Sequence, residues 1–156
     1  MKAKKIEPLL ISILFPLAVG LISSLFANGT RGTYQELVKP PLSPPAILFP
    51  IVWTILYVLM GISAYLISSS NHEGKEEALK IYFIQLGMNF FWSIFFFTFG
   101  WYLFSFAWLI GMIILIIKMI LRFKEISPLA AYLQIPYLIW CMFAAYLNFM
   151  IYYLNR

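Results

Sequence analysis

A chain of 156 residues, 63% hydrophobic and only 11% charged, holds more apolar side chain than a water-soluble core could hide, so it reads as an integral membrane protein. Its net charge of +5 is not gathered into a basic stripe on any one element, which excludes a nucleic-acid footprint and any nucleic-acid partner. One cysteine in an apolar run (Cys141), no aspartate, and one histidine in a charged loop (His72) exclude a disulfide framework and thiol metal clusters, along with most hydrolytic or metal chemistry.

The first apolar segment runs over about residues 6–27, long enough to cross a ~30 Å hydrocarbon layer at ~1.5 Å per residue. Lys2, Lys4 and Lys5 before it imitate the start of a signal peptide. The run is longer than a typical signal core, however, and no small-residue cleavage site follows, so a retained helix is expected. Pro16 and Gly20, one turn apart, are placed to bend this helix or let a neighbour come close.

Residues 28–45 form a loop in which Pro40, Pro41, Pro44 and Pro45 fix φ and hold their predecessors extended. Such a semi-rigid loop suits a lid over a pocket, and it equally suits a stiff connector. It runs without a break into the second span, about 46–68, with Pro50 in its first turns and Trp53 and Tyr57 one turn apart. The polar stretch 68–77 is an aqueous loop. A third span follows at about 79–99, then a tight turn around Gly100 and a fourth span at about 101–121. Lys118 and Arg122 lie near its end, where long basic side chains snorkel to the interface. Pro128 starts the fifth span, about 129–154. The expected fold is an all-α integral membrane protein, one domain over 1–156 built as a bundle of five transmembrane helices. An odd number of spans without internal repeats argues against the matched halves of inverted-repeat transporters.

Basic residues near the span ends are asymmetric. Lys2, Lys4, Lys5, Lys75, Lys80, Lys118, Arg122 and Lys124 fall on the N-terminal side, and Arg31, Lys39 and Arg156 on the other. The positive-inside rule then places the N-terminus in the cytoplasm and the Pro-rich loop outside, with the cell membrane as the expected location.

Polar side chains in hydrocarbon are costly, so their positions carry information. In the third span Gln85, Asn89 and Ser93 recur every four residues on one face, beside Trp92. In the fifth, Pro136, Trp140, Ala144 and Asn148 do the same, and in the second Trp53, Tyr57, Gly61 and Ala64. Pairing of amides and small residues between helices accounts for part of this pattern, Asn148 in particular. The sharper reading is an internal cavity lined by flat aromatic faces and a few polar groups, a site for a planar, mostly apolar ligand. By periodicity alone, helix pairing is the favoured reading. Many of the aromatics crowding the third-to-fourth turn belong to lipid-facing or interfacial belts, and the run Phe97–Phe106 is not a cofactor box.

The runs LVKPPLSPP, IVWTILYVLMG, QLGMNFFWSIFFF and ISPLAAYLQIPYLIWCMFAAYLN are collinear over about residues 16–148 and together resemble the translocator protein family, also called TspO/MBR or tryptophan-rich sensory proteins. The resemblance implies a five-helix bundle in the lipid that binds porphyrins and, in some members, sterols or synthetic benzodiazepine-like ligands, in a pocket beneath the first loop. It implies no required cofactor, with porphyrin or haem as ligand. Carried over by residue, Trp53 and Trp140 match the pocket tryptophans, Asn89 the amide of the third span, and Pro44 and Pro45 the lid. Tyr57, Trp92, Ser93 and Ala144 occupy neighbouring lining positions, and Asn148 extends the fifth-span stripe. Arg31 and Lys39 near the mouth would attract propionate groups.

This chain departs from the family pattern at Thr33-Tyr34 for Trp-Tyr, at Leu42 for a loop tryptophan, and at Pro50, one place early. The lost loop tryptophans weaken any stacking on the lid. Leu147, Tyr152 and Arg156 fit a loose cholesterol-contact pattern that many helix ends match. Dimers are common in the family; Gly87 would face away from the pocket and could seat a second copy, yet Phe83 and Phe91 leave no small-xxx-small motif there.

Binding of tetrapyrroles is the leading expectation. Light- and oxygen-dependent porphyrin degradation, with Trp53 and Trp140 in a redox role, is the enzymatic rival, although no acid–base pair or activated nucleophile is visible. A small-solute transporter is the third, and it lacks an acidic relay within the spans.

Overall fold

The structure, a computed structural model, describes residues 2–27, 37–45 and 47–156. Its elements are α1 (Lys2–Ala27), α2 (Leu48–Ser68), α3 (Lys75–Ser93) continued by a π-helical turn (Ile94–Thr98), α4 (Tyr102–Ile126), α5 (Pro128–Leu133) and α6 (Ile135–Asn155). Among the described residues, five stretches are long and apolar enough to cross a bilayer, namely Ile6–Phe26, Leu48–Ser68, Lys75–Thr98, Tyr102–Ile126 and Pro128–Asn155. The protein is an all-α membrane bundle of five spans, with α5 and α6 as two pieces of the fifth.

α3 and α4 both run further than the hydropathy pattern predicts. α3 starts at Lys75 because Glu76 and Glu77 in its first turn complement the positive end of the helix dipole. α4 continues to Ile126, and Arg122 near its end pairs with Glu77 at 3.3 Å. That pair is exposed, so it orients more than it stabilises, at about 0–1 kcal/mol. Beyond α4, Ser127 turns extended and its Oγ accepts the Ala130 N–H at 3.3 Å, with Pro128 at the first helical position. The fifth span breaks at Gln134. Pro136, two residues on, has no N–H to give and its ring crowds the carbonyl four residues back.

The α3–α4 turn is made by Gly100, whose φ of 66° lies in the left-handed region that glycine enters without penalty. α1 and α2 cross antiparallel and close. A Cβ on Gly61 would collide with the backbone of Ser12 and Ile13, and one on Gly20 with the Tyr57 ring. Small residues let helix backbones approach in lipid, where dispersion rather than water exclusion holds helices together. The remaining face of α1 (Ile11, Leu14, Leu21, Leu25) stays exposed for lipid. The tightest core lies between α2, α3, α4 and the α5–α6 pair, around Met60, Tyr82, Met112, Ile116 and Tyr137.

Candidate functional site

Trp53 and Tyr57 stack on α2, ring centroids 5.5 Å apart and planes at 28°. The Tyr57 hydroxyl donates to Asn89 Oδ1 at 3.0 Å, Asn89 Nδ2 donates to Tyr137 Oη at 3.0 Å, and Tyr137 donates to Gln85 Oε1 at 2.7 Å. One neutral hydrogen-bond chain therefore passes from α2 through α3 to α6, satisfying groups that would be costly alone in hydrocarbon. Trp53 also meets Tyr137 edge-on, centroids 6.1 Å apart.

Beside this chain, between α1, α2 and α3, lies a cavity of about 490 Å³. Its walls are Leu17, Gly20, Leu21, Ser23 and Ser24 from α1, and Pro50, Trp53, Thr54 and Tyr57 from α2. Trp92, Ser93 and Phe97 from α3 and its π turn complete them. The volume falls in the ~300–1,000 Å³ range of small-molecule sites, and the lining is aromatic and aliphatic with a few hydroxyls, as such sites require.

The third wall is set by packing at the end of α3. Trp92 stacks on Phe96 at 5.5 Å, and its Nε1 donates to Asn148 Oδ1 at 3.0 Å. Asn148 Nδ2 donates onward to the Tyr102 carbonyl at 2.7 Å, so Asn148 fixes Trp92 and the start of α4 together. The wider π turn, closed by the Phe99 N–H on the Ile94 carbonyl at 3.1 Å, shifts the register after Ile94, and Phe97 falls on the cavity wall. Phe97 thus turns inward, while Phe99, Trp101 and Phe104 remain exposed.

Of the predicted ligand contacts, Trp53, Tyr57, Trp92 and Ser93 line the cavity. Asn89 is buried behind Tyr57, and Asn148 behind Trp92. Trp140 is not on this wall. Trp140 packs edge-on against Phe49 at 6.0 Å and tilted against Phe143 at 5.5 Å. Phe49 and Tyr137, one turn before Trp53 and Trp140, supply the rings that each indole meets. Ala144 is buried on α6 and also lies off this wall.

Pro44 and Pro45 do not line the cavity either, because the described part of the loop is tied to the end of α6. The Val38 N–H donates to Asn155 Oδ1 at 3.0 Å and Asn155 Nδ2 returns a bond to the Val38 carbonyl at 2.8 Å. The Tyr146 hydroxyl donates to the Pro41 carbonyl at 2.9 Å. Leu42 follows Pro41 with φ 73°, a left-handed conformation that costs a branched residue about 1–2 kcal/mol. Lys39 is half-buried beside buried Pro40, and Arg31 and Thr33-Tyr34 lie outside the described residues.

What sequence reasoning missed is the whole α1 wall, Ser23 above all, which is buried. The Pro16–Gly20 spacing was the signal, since a gap at Gly20 is what brings Tyr57 against α1. Among the described lining residues there is no carboxylate, imidazole or thiol. The described lining can stack on a ligand, enclose it and offer it hydroxyl hydrogen bonds.

Comparison with known proteins agrees with this architecture. A sequence profile described as the TspO/MBR family matches residues 12–154. The chain is 38% identical over 148 residues to the tryptophan-rich protein TspO of Archaeoglobus fulgidus, covering 94% of this chain and 96% of that protein. It is 37% identical over 155 residues to the protein of the same name in Chlorobaculum tepidum, covering 97% and 98%. It is 34% identical over 145 residues to the translocator protein of Bos taurus, covering 86% and 84%. A helical bundle of five spans, matched by a family profile from α1 to the last turn of α6, belongs to the TspO/MBR family.

Proposed function

We propose that this protein binds porphyrins and related planar, mostly apolar molecules within the membrane, as a carrier or sensor of such ligands. The observation that carries the reading is the 490 Å³ cavity walled by the Trp53–Tyr57 stack on one side and Trp92 on the other. A macrocycle face offers these rings a large stacking area, and Ser23, Ser93 and Thr54 provide hydrogen bonds at its edge. Leu21, Pro50 and Thr54 on the wall are exposed, so an apolar ligand has a route from the lipid between α1 and α2. Lys39 and Arg31, on the side of the Pro-rich loop, suit the propionates of a porphyrin. Relatives named translocator protein and tryptophan-rich sensory protein support a role in moving or reporting a small molecule. By the asymmetry of basic residues, the N-terminus lies in the cytoplasm and the loop outside.

Protoporphyrin titration into the purified protein, in the dark, tests the reading. Trp53→Ala is expected to weaken binding about tenfold, since a stacked aromatic contributes ~0.5–1.5 kcal/mol beyond its buried area and ~1.4 kcal/mol is a factor of ten. Trp140→Ala is expected to change affinity by less. Wild-type affinity in Trp53→Ala would remove the cavity as the site. A second variant probes the α1 wall: Gly20→Val should displace the Tyr57 ring and weaken binding at least as much, because the new methyls occupy the space that ring now fills.

The rival reading, light- and oxygen-dependent degradation, draws on the same stack, where Trp53 touches two oxidisable phenols, Tyr57 and Tyr137. Repeating the titration in light with oxygen separates the two. Loss of porphyrin absorbance that disappears with Trp53 would favour degradation, and stable absorbance would leave binding alone.

A further inference from the structure

The hydrogen-bond chain behind the cavity stops short at its far end. Gln85 uses Oε1 for Tyr137, but its Nε2 has no protein partner among the described residues, nor have Tyr82 Oη and both side-chain polar atoms of Gln134. Gln85 and Gln134 are 0% exposed and Tyr82 1%, so neither lipid headgroups nor bulk water reach them.

Topology brings the three side chains into neighbouring turns of two parallel helices. α3 and α6 run parallel because α4 returns between them, and the Tyr137–Gln85 bond sets their register. Tyr82 lies one turn before Gln85, and Gln134 one turn before Tyr137, each on the face of its neighbour. Two successive turns of these helices therefore carry a phenol and two amides, with donors and acceptors both unspent. Burying such groups dry is costly, and natural proteins meet the cost with ordered water where partners of both kinds converge.

Two further features narrow the occupant. The three side chains are neutral, and two neighbours of this region are apolar: Phe123, 6.3 Å from the Tyr82 ring, and Met112, whose Sδ lies 4.0 Å from Tyr137 Oη. That favours a small neutral molecule that both donates and accepts, and disfavours an ion. Gln134 also sits at the break between α5 and α6, and interrupted helix at membrane depth is tolerated where it is enclosed by protein or lines a hydrated cavity.

We propose that Tyr82, Gln85 and Gln134 form an internal water-binding site. The water held there extends the chain Tyr57–Asn89–Tyr137–Gln85, so that one polar path links the cavity wall to the break in the fifth span. The site does not depend on which ligand the cavity takes.

The test uses the full chain in lipid nanodiscs with ¹⁵N-labelled glutamine side chains, of which there are three, Gln35, Gln85 and Gln134. Cross-peaks between water and the Gln85 and Gln134 amides, with the sign of a long-resident water, are expected; Gln134→Met assigns the second amide by its loss. The same variant should lower the thermal midpoint by several degrees, because methionine keeps the shape but strips the water of its partners. Absence of water cross-peaks at both buried amides in the wild-type protein would overturn the proposal. So would a Gln134→Met midpoint equal to or above wild type, the result expected of an amide buried dry.

Discussion

Gly61→Val is expected to loosen α1 from the bundle. The valine side chain would project into the backbone of Ser12 and Ile13, which cannot rotate away as a side chain could. Overpacking of this kind costs about 1–3 kcal/mol where side chains yield, and rigid backbone places the cost at the upper end or beyond. α1 is the least buried of the five spans, and its hold on the bundle rests mainly on this crossing with α2. Its departure would open the wall formed by Gly20, Ser23 and Ser24. The thermal midpoint should fall by several degrees, and porphyrin affinity should fall with it. Gly87→Val is the control, because nothing lies within 4 Å of an added Cβ there. An unchanged midpoint for Gly61→Val would mean that α1 does not pack against α2 at this crossing.

Tyr137→Phe should destabilise more than Tyr57→Phe, although both remove one hydroxyl. Tyr137 Oη accepts from Asn89 and donates to Gln85, so its loss breaks two interhelical bonds, whereas Tyr57 makes one bond to Asn89. Interhelical hydrogen bonds in membranes contribute about 0.6 kcal/mol each on average and up to ~1.7. The expected costs are therefore about 1–3 kcal/mol for Tyr137→Phe and about 1 kcal/mol for Tyr57→Phe. Unfolding in mixed micelles, followed by tryptophan fluorescence, measures both. Equal costs would show that the chain is not cooperative through Tyr137.

The polar stripe of the third span shows how far periodicity reaches. Gln85, Asn89 and Ser93 do share a face, yet they serve different ends. Gln85 and Asn89 join the buried chain, while Ser93 opens on the cavity. The fifth-span stripe divides in the same way: Asn148 braces Trp92, and Trp140 meets Phe49 rather than the cavity. A stripe says which residues turn inward together, and nothing about which neighbour waits for each.

Membrane class, five spans, the turn at Gly100 and the start at Pro128 follow from local chemistry. Hydrophobic length, backbone breakers and interfacial charge act within a few residues of where they are written. The family was legible for a similar reason, since its motifs are contiguous runs. The site's walls were not. They depend on how closely α1 approaches at Gly20 and Gly61 and on the register shift of the π turn that brings Phe97 round. Each is a small rotation or translation of a whole helix, fixed by contacts between residues far apart in the chain; a local stretch such as Pro16–Gly20 marks where a neighbour can come close, and not which neighbour comes.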